Sequence, residues 1–204
     1  MNVRLEYTFH FTAGVHWGGK LIMNGYRLGV YMVTNTADSE STTIAFERLK
    51  HFINEQIESS VFINSEEQEA CRLYTAAGIK ITTLPREPVD QIVGVMLFHK
   101  LNAIMEGRIA VVETELSSLL GDNMVYLHSE NETAEDITIP VWWNTPDLTH
   151  FDLEFKDGNQ VFTLHPGNYS AWADLELDWL DREIVAPGET GNIVFADFGK
   201  DDTK

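Results

Sequence analysis

The sequence predicts an α+β protein, an antiparallel sheet with helices on one face, followed by a small β-rich C-terminal extension. Three observations predict it. Residues 2–12 alternate, with Val3, Leu5, Tyr7, Phe9 and Phe11 on one face and Arg4, Glu6, Thr8, His10 and Thr12 on the other. Between Val89 and Met105 apolar residues recur every three or four positions, the period of a buried helix, and a hairpin pattern follows at once. Beyond residue 129 the chain changes to short apolar runs, turn residues and many aromatics.

The elements follow in order. The first strand leads through a glycine-bearing link, residues 13–20, into a second long strand over 21–34, and the two pair as a hairpin. One apolar and one polar face mean that helices cover one side. The other side meets water or the inside of an oligomeric barrel. Residues 35–43 form a polar link. From Ile44 to Ile57, Ala45, Leu49, Phe52, Ile53 and Ile57 mark an amphipathic helix. A shorter helix spans 66–76, closed by Gly78, and residues 79–84 are extended. Pro88 suits the first turn of the long apolar helix, and Gly107 ends it. Strands over 108–115 and 123–128 complete the region, with Glu113 inside the first of them. Residues 129–136, SENETAED, read as an acidic linker. Asp157-Gly158 marks a hairpin turn, and residues 200–204 read as a frayed tail. This divides the chain into an α+β domain, 1–129, and an acidic, aromatic-rich β extension, 130–204.

At 204 residues, 44% hydrophobic and 11% aromatic, the chain has ample material for a packed core, which excludes general disorder. The net charge of −18 is uneven. Residues 1–129 carry 10 basic against 15 acidic side chains, and residues 130–204 carry 4 against 17. Such a balance argues against nucleic acid as a direct partner, because phosphate binding needs clustered Lys and Arg. It fits a solvated acidic surface, adaptation to salt, or a decoy presenting nucleic-acid-like charge to a basic protein partner. A single cysteine, Cys71, rules out an intramolecular disulfide and fits a reducing compartment. No stretch approaches the roughly 18–20 apolar residues that span a bilayer, and the N-terminus lacks the apolar run of a signal peptide. A cytoplasmic protein with no membrane partner is expected, and the sequons at 131–133 and 168–170 are then chance matches.

The segments YTFHFTAGVH (7–16), NGYRLGVYMV (24–33), EPVDQIVGVMLFHKL (87–101) and above all RIAVVETELSSLLGDNMVY (108–126) carry a resemblance. Over about residues 3–128 the chain resembles the tunnelling fold of 6-pyruvoyl-tetrahydropterin synthase and 6-carboxytetrahydropterin synthase. The resemblance implies a ring of subunits with a ligand pocket between them. There the Glu-Thr of a Val-rich strand, here Glu113 and Thr114, anchors a pterin or purine ring through the carboxylate. Family enzymes hold zinc with one His after the first strand and a His-x-His pair opening the second. In this chain His16 matches the first, but Ile22, Met23 and Asn24 stand in place of the pair, and the family's cysteine before it is absent. No metal and no cofactor are therefore expected.

The residues themselves leave alternatives open. Glu113 shares a face with Ile109 and Val111 unless a bulge intervenes, and there it meets either a basic side chain or the paired N–H donors of a ligand. Otherwise it is an ordinary exposed strand residue. His10 and His16, with His51, His99 or His128, have no tight ligand spacing and read as ordinary histidines. Asp90 and His99 fall on different faces of their helix. Cys71 lies among carboxylates that raise its pKa, so it reads as structural. Trp142, Trp143 and Trp172, with His150 and His165, are read most simply as the aromatic core of a small β unit. Two functional readings result: a zinc-free protein that binds or transforms a pterin- or purine-like ring, or an assembly scaffold whose acidic segment meets a partner.

Overall fold

The computed structural model describes residues 4–34, 39–129, 139–148, 153–157, 160–164 and 171–179. Strand β1 (Arg4–Trp17) pairs with β2 (Lys20–Thr34) over their whole lengths, from Arg4 opposite Val33 to Trp17 opposite Lys20. Alternation continues through Ala13 and Val15, both buried, so the link expected at 13–20 shrinks to Gly18 and Gly19. Those two residues have φ of 57° and 72°, a region that side chains with a Cβ rarely adopt. Helix α1 (Ser39–His51) starts ahead of the expected Ile44 and widens into a π-helical turn, Phe52–Ile57. All five of its anticipated apolar positions are buried.

Strand β3 (Val61–Asn64), helix α2 (Gln68–Ala76), strand β4 (Ile81–Leu84), helix α3 (Asp90–Met105), strand β5 (Ile109–Ser118) and strand β6 (Tyr126–Ser129) complete the domain. The sheet has the order β4-β3-β1-β2-β5-β6. The class is α+β. The sheet is mixed rather than wholly antiparallel, because β3 runs parallel to both β1 and β4. Helix α2 between β3 and β4 supplies the crossover that their parallel pairing needs.

The same unit changes which faces are covered. Along β3, Phe62 joins the main core with α1 and α3, whereas Val61 and Ile63 join Cys71 of α2 and Ile81 in a second, smaller core. So α1 and α3 cover one face of the sheet, and α2 covers the other only at its parallel edge. The outward residues of the antiparallel strands, among them Glu6, Thr8, His10, Thr12 and Arg27, stay exposed.

Helix α3 is buried almost all round because a C-terminal segment lies along its far side. Lys100, fully buried, donates from Nζ to the carbonyl oxygens of Trp142, Thr145 and Asp147 at 3.0, 2.8 and 2.7 Å. Trp143, Leu148 and Trp172 enter the main core, so these aromatics do not form the core of a separate β unit. Strands β7 (Leu153–Asp157) and β8 (Gln160–Leu164) pair antiparallel as a separate ribbon, from Leu153 opposite Leu164 to Asp157 opposite Gln160. Residues 130–136 of the acidic linker, His150, His165 and the tail lie outside the described residues, and Ser129 ends β6. Among the described residues no helix is long and apolar enough to cross a membrane.

Candidate ligand site on the open face of the sheet

The site starts from one irregularity in β5. Its pairing with β2 runs regularly from Ser118 opposite Tyr26 to Glu113 opposite Tyr31, then jumps to Val111 opposite Met32. Val112 is the extra residue of a β-bulge. Ile109 and Val111 face α3, as alternation requires, and so do Thr114 and Leu116. Glu113 is turned away from them. Without the bulge its carboxylate would lie beneath an apolar helix, where an unpaired charge is costly. With it, Glu113 is half-buried on the open face, between Tyr31 of β2 and Ser129 of β6. Among the described residues its carboxylate has no hydrogen bond or ion pair.

Thr114 lies on the opposite face, 1% exposed beneath α3, and its Oγ1 has no hydrogen-bond partner among the described residues. The structure therefore does not bring the Glu113 and Thr114 side chains together. Only Glu113 faces the open side.

Its neighbours there are polar and organised. The Tyr31 hydroxyl donates to Glu115 Oε1 at 2.9 Å, which pushes the phenol up to about 12, chiefly through that hydrogen bond. Arg27 Nη1 lies 3.9 Å from Glu115 Oε2, and the Arg4 guanidinium lies 5.5 Å from the centre of the Tyr31 ring. Gly29 lies opposite Glu115, and a Cβ there would meet the Glu115 side chain in ordinary van der Waals contact. Beyond Arg27 the face deepens into a cleft of about 460 Å³, lined by His10, Thr12, Arg27, Glu58, Ser117 and Asn123 among others. Glu58 closes one wall by accepting the Thr12 backbone N–H at 3.0 Å. The result is a strip with one uncommitted carboxylate, one committed carboxylate, a phenol and a guanidinium, and the guanidinium, Arg27, also lines a cleft large enough for a small aromatic ring. Such a strip can present acceptor oxygens to adjacent N–H donors and a cation to an acidic or carbonyl group.

The residues at the family's zinc positions do not fit a metal. His16 is buried, with Nδ1 2.9 Å from the Tyr74 hydroxyl. Ile22 and Met23 are exposed apolar side chains, and Asn24 is buried with Oδ1 accepting the Leu120 N–H at 3.0 Å. Among the described residues no three His, Cys, Asp or Glu side chains converge.

The other histidines are scattered. His10 lines the open cleft and His51 meets Trp172 edge-on, while His99 and His128 lie 6.1 Å apart between α3 and β6. That last pairing had no signal in the sequence, because the two rings come from elements 29 positions apart with no common motif. Burial lowers the His99 pKa, against a hydrogen bond to Asn144 that raises it. Asp90 accepts from Ser118 Oγ at 2.7 Å and fixes the β5–β6 loop, and burial raises its pKa. Cys71 is buried and its thiol is pushed up to about 11, first by burial and only then by Glu67.

No protein-family model matches the chain, and no curated protein matches it. Solved structures similar to it include the following two. One is an uncharacterized protein, WS1659, from Wolinella succinogenes, at 11% identity and a TM-score of 0.45, covering 64% of this chain and 99% of that one. The other is 6-pyruvoyl tetrahydropterin synthase from Plasmodium falciparum, at 11% identity and a TM-score of 0.37, covering 63% of this chain and 96% of that one.

Proposed function

We propose that this chain is a zinc-free ring-binding protein with a pterin-synthase-like fold, in which Glu113 anchors a pterin- or purine-like ring. The observation that carries the reading is the Glu113 carboxylate, half-buried on the open face and without a partner among the described residues. A half-buried carboxylate gains most from a ligand that supplies two N–H donors side by side, as the amide and amino groups of guanine-like and pterin rings do. Tyr31 and Glu115 hold each other, which leaves Glu113 as the acceptor for the ligand. Thr114 keeps the strand seated under α3. A second copy of the chain completes the pocket, since an open sheet face gives a ring only one wall. Homo-oligomerisation by sheet edges, with β6 and β4 at the two ends, also protects those edges from uncontrolled pairing.

The test is calorimetric titration of the purified protein with a free pterin and with guanosine, repeated on Glu113→Gln. Saturable binding that falls at least tenfold in the variant, with an unchanged melting temperature, supports the assignment. Equal affinity in both proteins sinks it.

A second reading, an assembly scaffold, is favoured by a different observation. One end of the sheet exposes Trp17, Met23, Leu119, Leu120, Met124 and Val125, which lie 48–70% exposed. Exposed apolar clusters of this kind mark protein contacts. Oligomers that persist without ligand and lose their order when Leu119 and Met124 become Glu would favour the scaffold. A basic protein partner for the acidic segment is distinguished by salt, since its binding would collapse near about 0.5 M as the Debye length shortens.

A further inference from the structure

Asp90, the first residue of α3, is the one buried carboxylate among the described residues, 9% exposed. The fully buried cations Arg48 and Lys100 each donate to three oxygens. Asp90 has no cation beside it among the described residues. Its place in the first turn of α3 suits the helix dipole, but no described helix N–H donates to it. Its hydrogen bond is the one that Ser118 Oγ donates to Oδ2 at 2.7 Å. That bond belongs to a closed network. Ser118 Oγ accepts the Gly121 N–H, and Asn24 Oδ1 accepts the Leu120 N–H, both at 3.0 Å. A Cβ at Gly121 would collide with Asp90 Oδ2, so the loop closes over the carboxylate only because residue 121 is glycine. Oδ2 is committed to the loop, and Oδ1 is not.

Asp90 also lines a cavity of about 190 Å³ between the start of α3 and the paired ends of β1 and β2. Val15, Pro88, Val89 and Leu120 give it apolar walls, Trp17 and Tyr126 add two aromatic rings, and no basic side chain lines it. At roughly 30 Å³ per water molecule, the space is that of about six waters. Trp17 and Leu120 are about half exposed, so the cavity opens to solvent beside them.

A carboxylate buried without a counter-charge is costly, and a cation entering beside it offsets that cost. Burial raises the Asp90 pKa, as expected of such a group. The geometry selects among cations. A metal ion needs several oxygen ligands, whereas here one carboxylate oxygen stands among carbon walls. A guanidinium binds best through two parallel N–H···O bonds, and Oδ2 is already taken. An ammonium is a compact charge that can donate to one oxygen, and its alkyl chain gains from burial against Val15, Val89 and Leu120. A chain of net charge −18 also draws cations toward its surface.

We propose that the cavity beside Asp90 is a binding site for a small alkylammonium ion, its nitrogen donating to Asp90 Oδ1 and its chain lying against the apolar wall. The site lies on the helix side at one end of the sheet, apart from Glu113, and the inference does not rest on the ring-binding reading.

The probe is isopentylammonium, added to the full chain at neutral pH and constant ionic strength. Binding is followed by the NMR shifts of the Trp17 indole N–H and the Gly121 amide, the indole being assigned from Trp17→Phe. Saturable shifts of both are expected, with a Kd in the millimolar range, about what a ligand of this size reaches. Isopentyl alcohol, alike in shape but neutral, should bind more weakly by roughly tenfold or more. Asp90→Asn keeps an oxygen for Ser118 and should lower ammonium affinity by a similar factor. Equal binding of alcohol and amine to the wild type would show an apolar pocket without a charge site and overturn the proposal, whether or not the variant folds. So would ammonium binding undiminished in a folded Asp90→Asn chain, or no saturable shift with amine up to about 0.1 M.

Discussion

The two sides of the central sheet treat charge in opposite ways. Under the helices the fully buried cations Lys100 and Arg48 are matched. Lys100 meets three carbonyls, and Arg48 meets two carbonyls, a carboxylate and two indoles. On the open face Glu115 is held by Tyr31 and Arg27, and Glu113, one open-face position away, is held by nothing described. Buried charges that hold a fold together are satisfied internally, because leaving them unpaired costs several kcal/mol. A half-buried carboxylate left uncommitted is where a ligand gains most. The contrast separates the side that keeps the C-terminal segment in place from the side that does the binding.

The largest effect should come from the helix side. Lys100→Met strands three carbonyls that now share one ammonium, and it should cost about 3–5 kcal/mol in denaturant unfolding. A loss under about 1 kcal/mol would mean that the segment 139–148 is not anchored there. Arg48→Ala removes the stacking and the carboxylate bond together, and it should cost about 2–3 kcal/mol. It should also raise the protease sensitivity of residues 171–179.

The Lys100 pairing sharpens further with pH. Burial lowers the Lys100 pKa to about 8, while the unfolded side chain keeps its proton up to the ordinary lysine value of 10.5. Between those values the unfolded chain binds more protons, so this residue's contribution to stability rises with pH across that window and is flat below it. The stability difference between wild type and Lys100→Met should therefore shift toward wild type between pH 8 and pH 10. A flat difference would show that the ammonium is not desolvated.

Smaller stability effects belong to the open face. Glu113→Gln should change stability by no more than about 0.5 kcal/mol, as surface substitutions do, while abolishing most ring binding. A large destabilisation would reveal a structural role for Glu113 and break the contrast between the faces. Tyr31→Phe should leave folding intact and free Glu115, so that ring affinity changes less than threefold.

Much of this arrangement is legible in the sequence, for identifiable reasons. The long hairpin, the apolar positions of α1 and the stop at Gly107 follow from short-range periodicity and from residues whose backbone preferences are strong. The β3–α2–β4 unit is harder to read. Its four-residue strands are buried on both faces and show no alternation, so their parallel pairing and the second core behind them leave little trace. The bulge at Val112 leaves none. A Val-Val-Glu stretch reads the same with or without an extra residue, yet that residue decides which face Glu113 takes. Arg48 looks like an ordinary surface residue of an amphipathic helix, because the carbonyls it bonds, those of Ile104 and Leu177, lie 56 and 129 positions away.

The most direct test of the account is native mass spectrometry of the protein as purified, wild type beside Glu113→Gln. The account predicts that wild-type oligomers carry a mass increment equal to one small aromatic ring per pocket, and that the variant forms the same oligomers without it. An identical increment in both proteins, or none in the wild type under conditions where added pterin and guanosine also fail to bind, would contradict the assignment of Glu113 as the ring anchor.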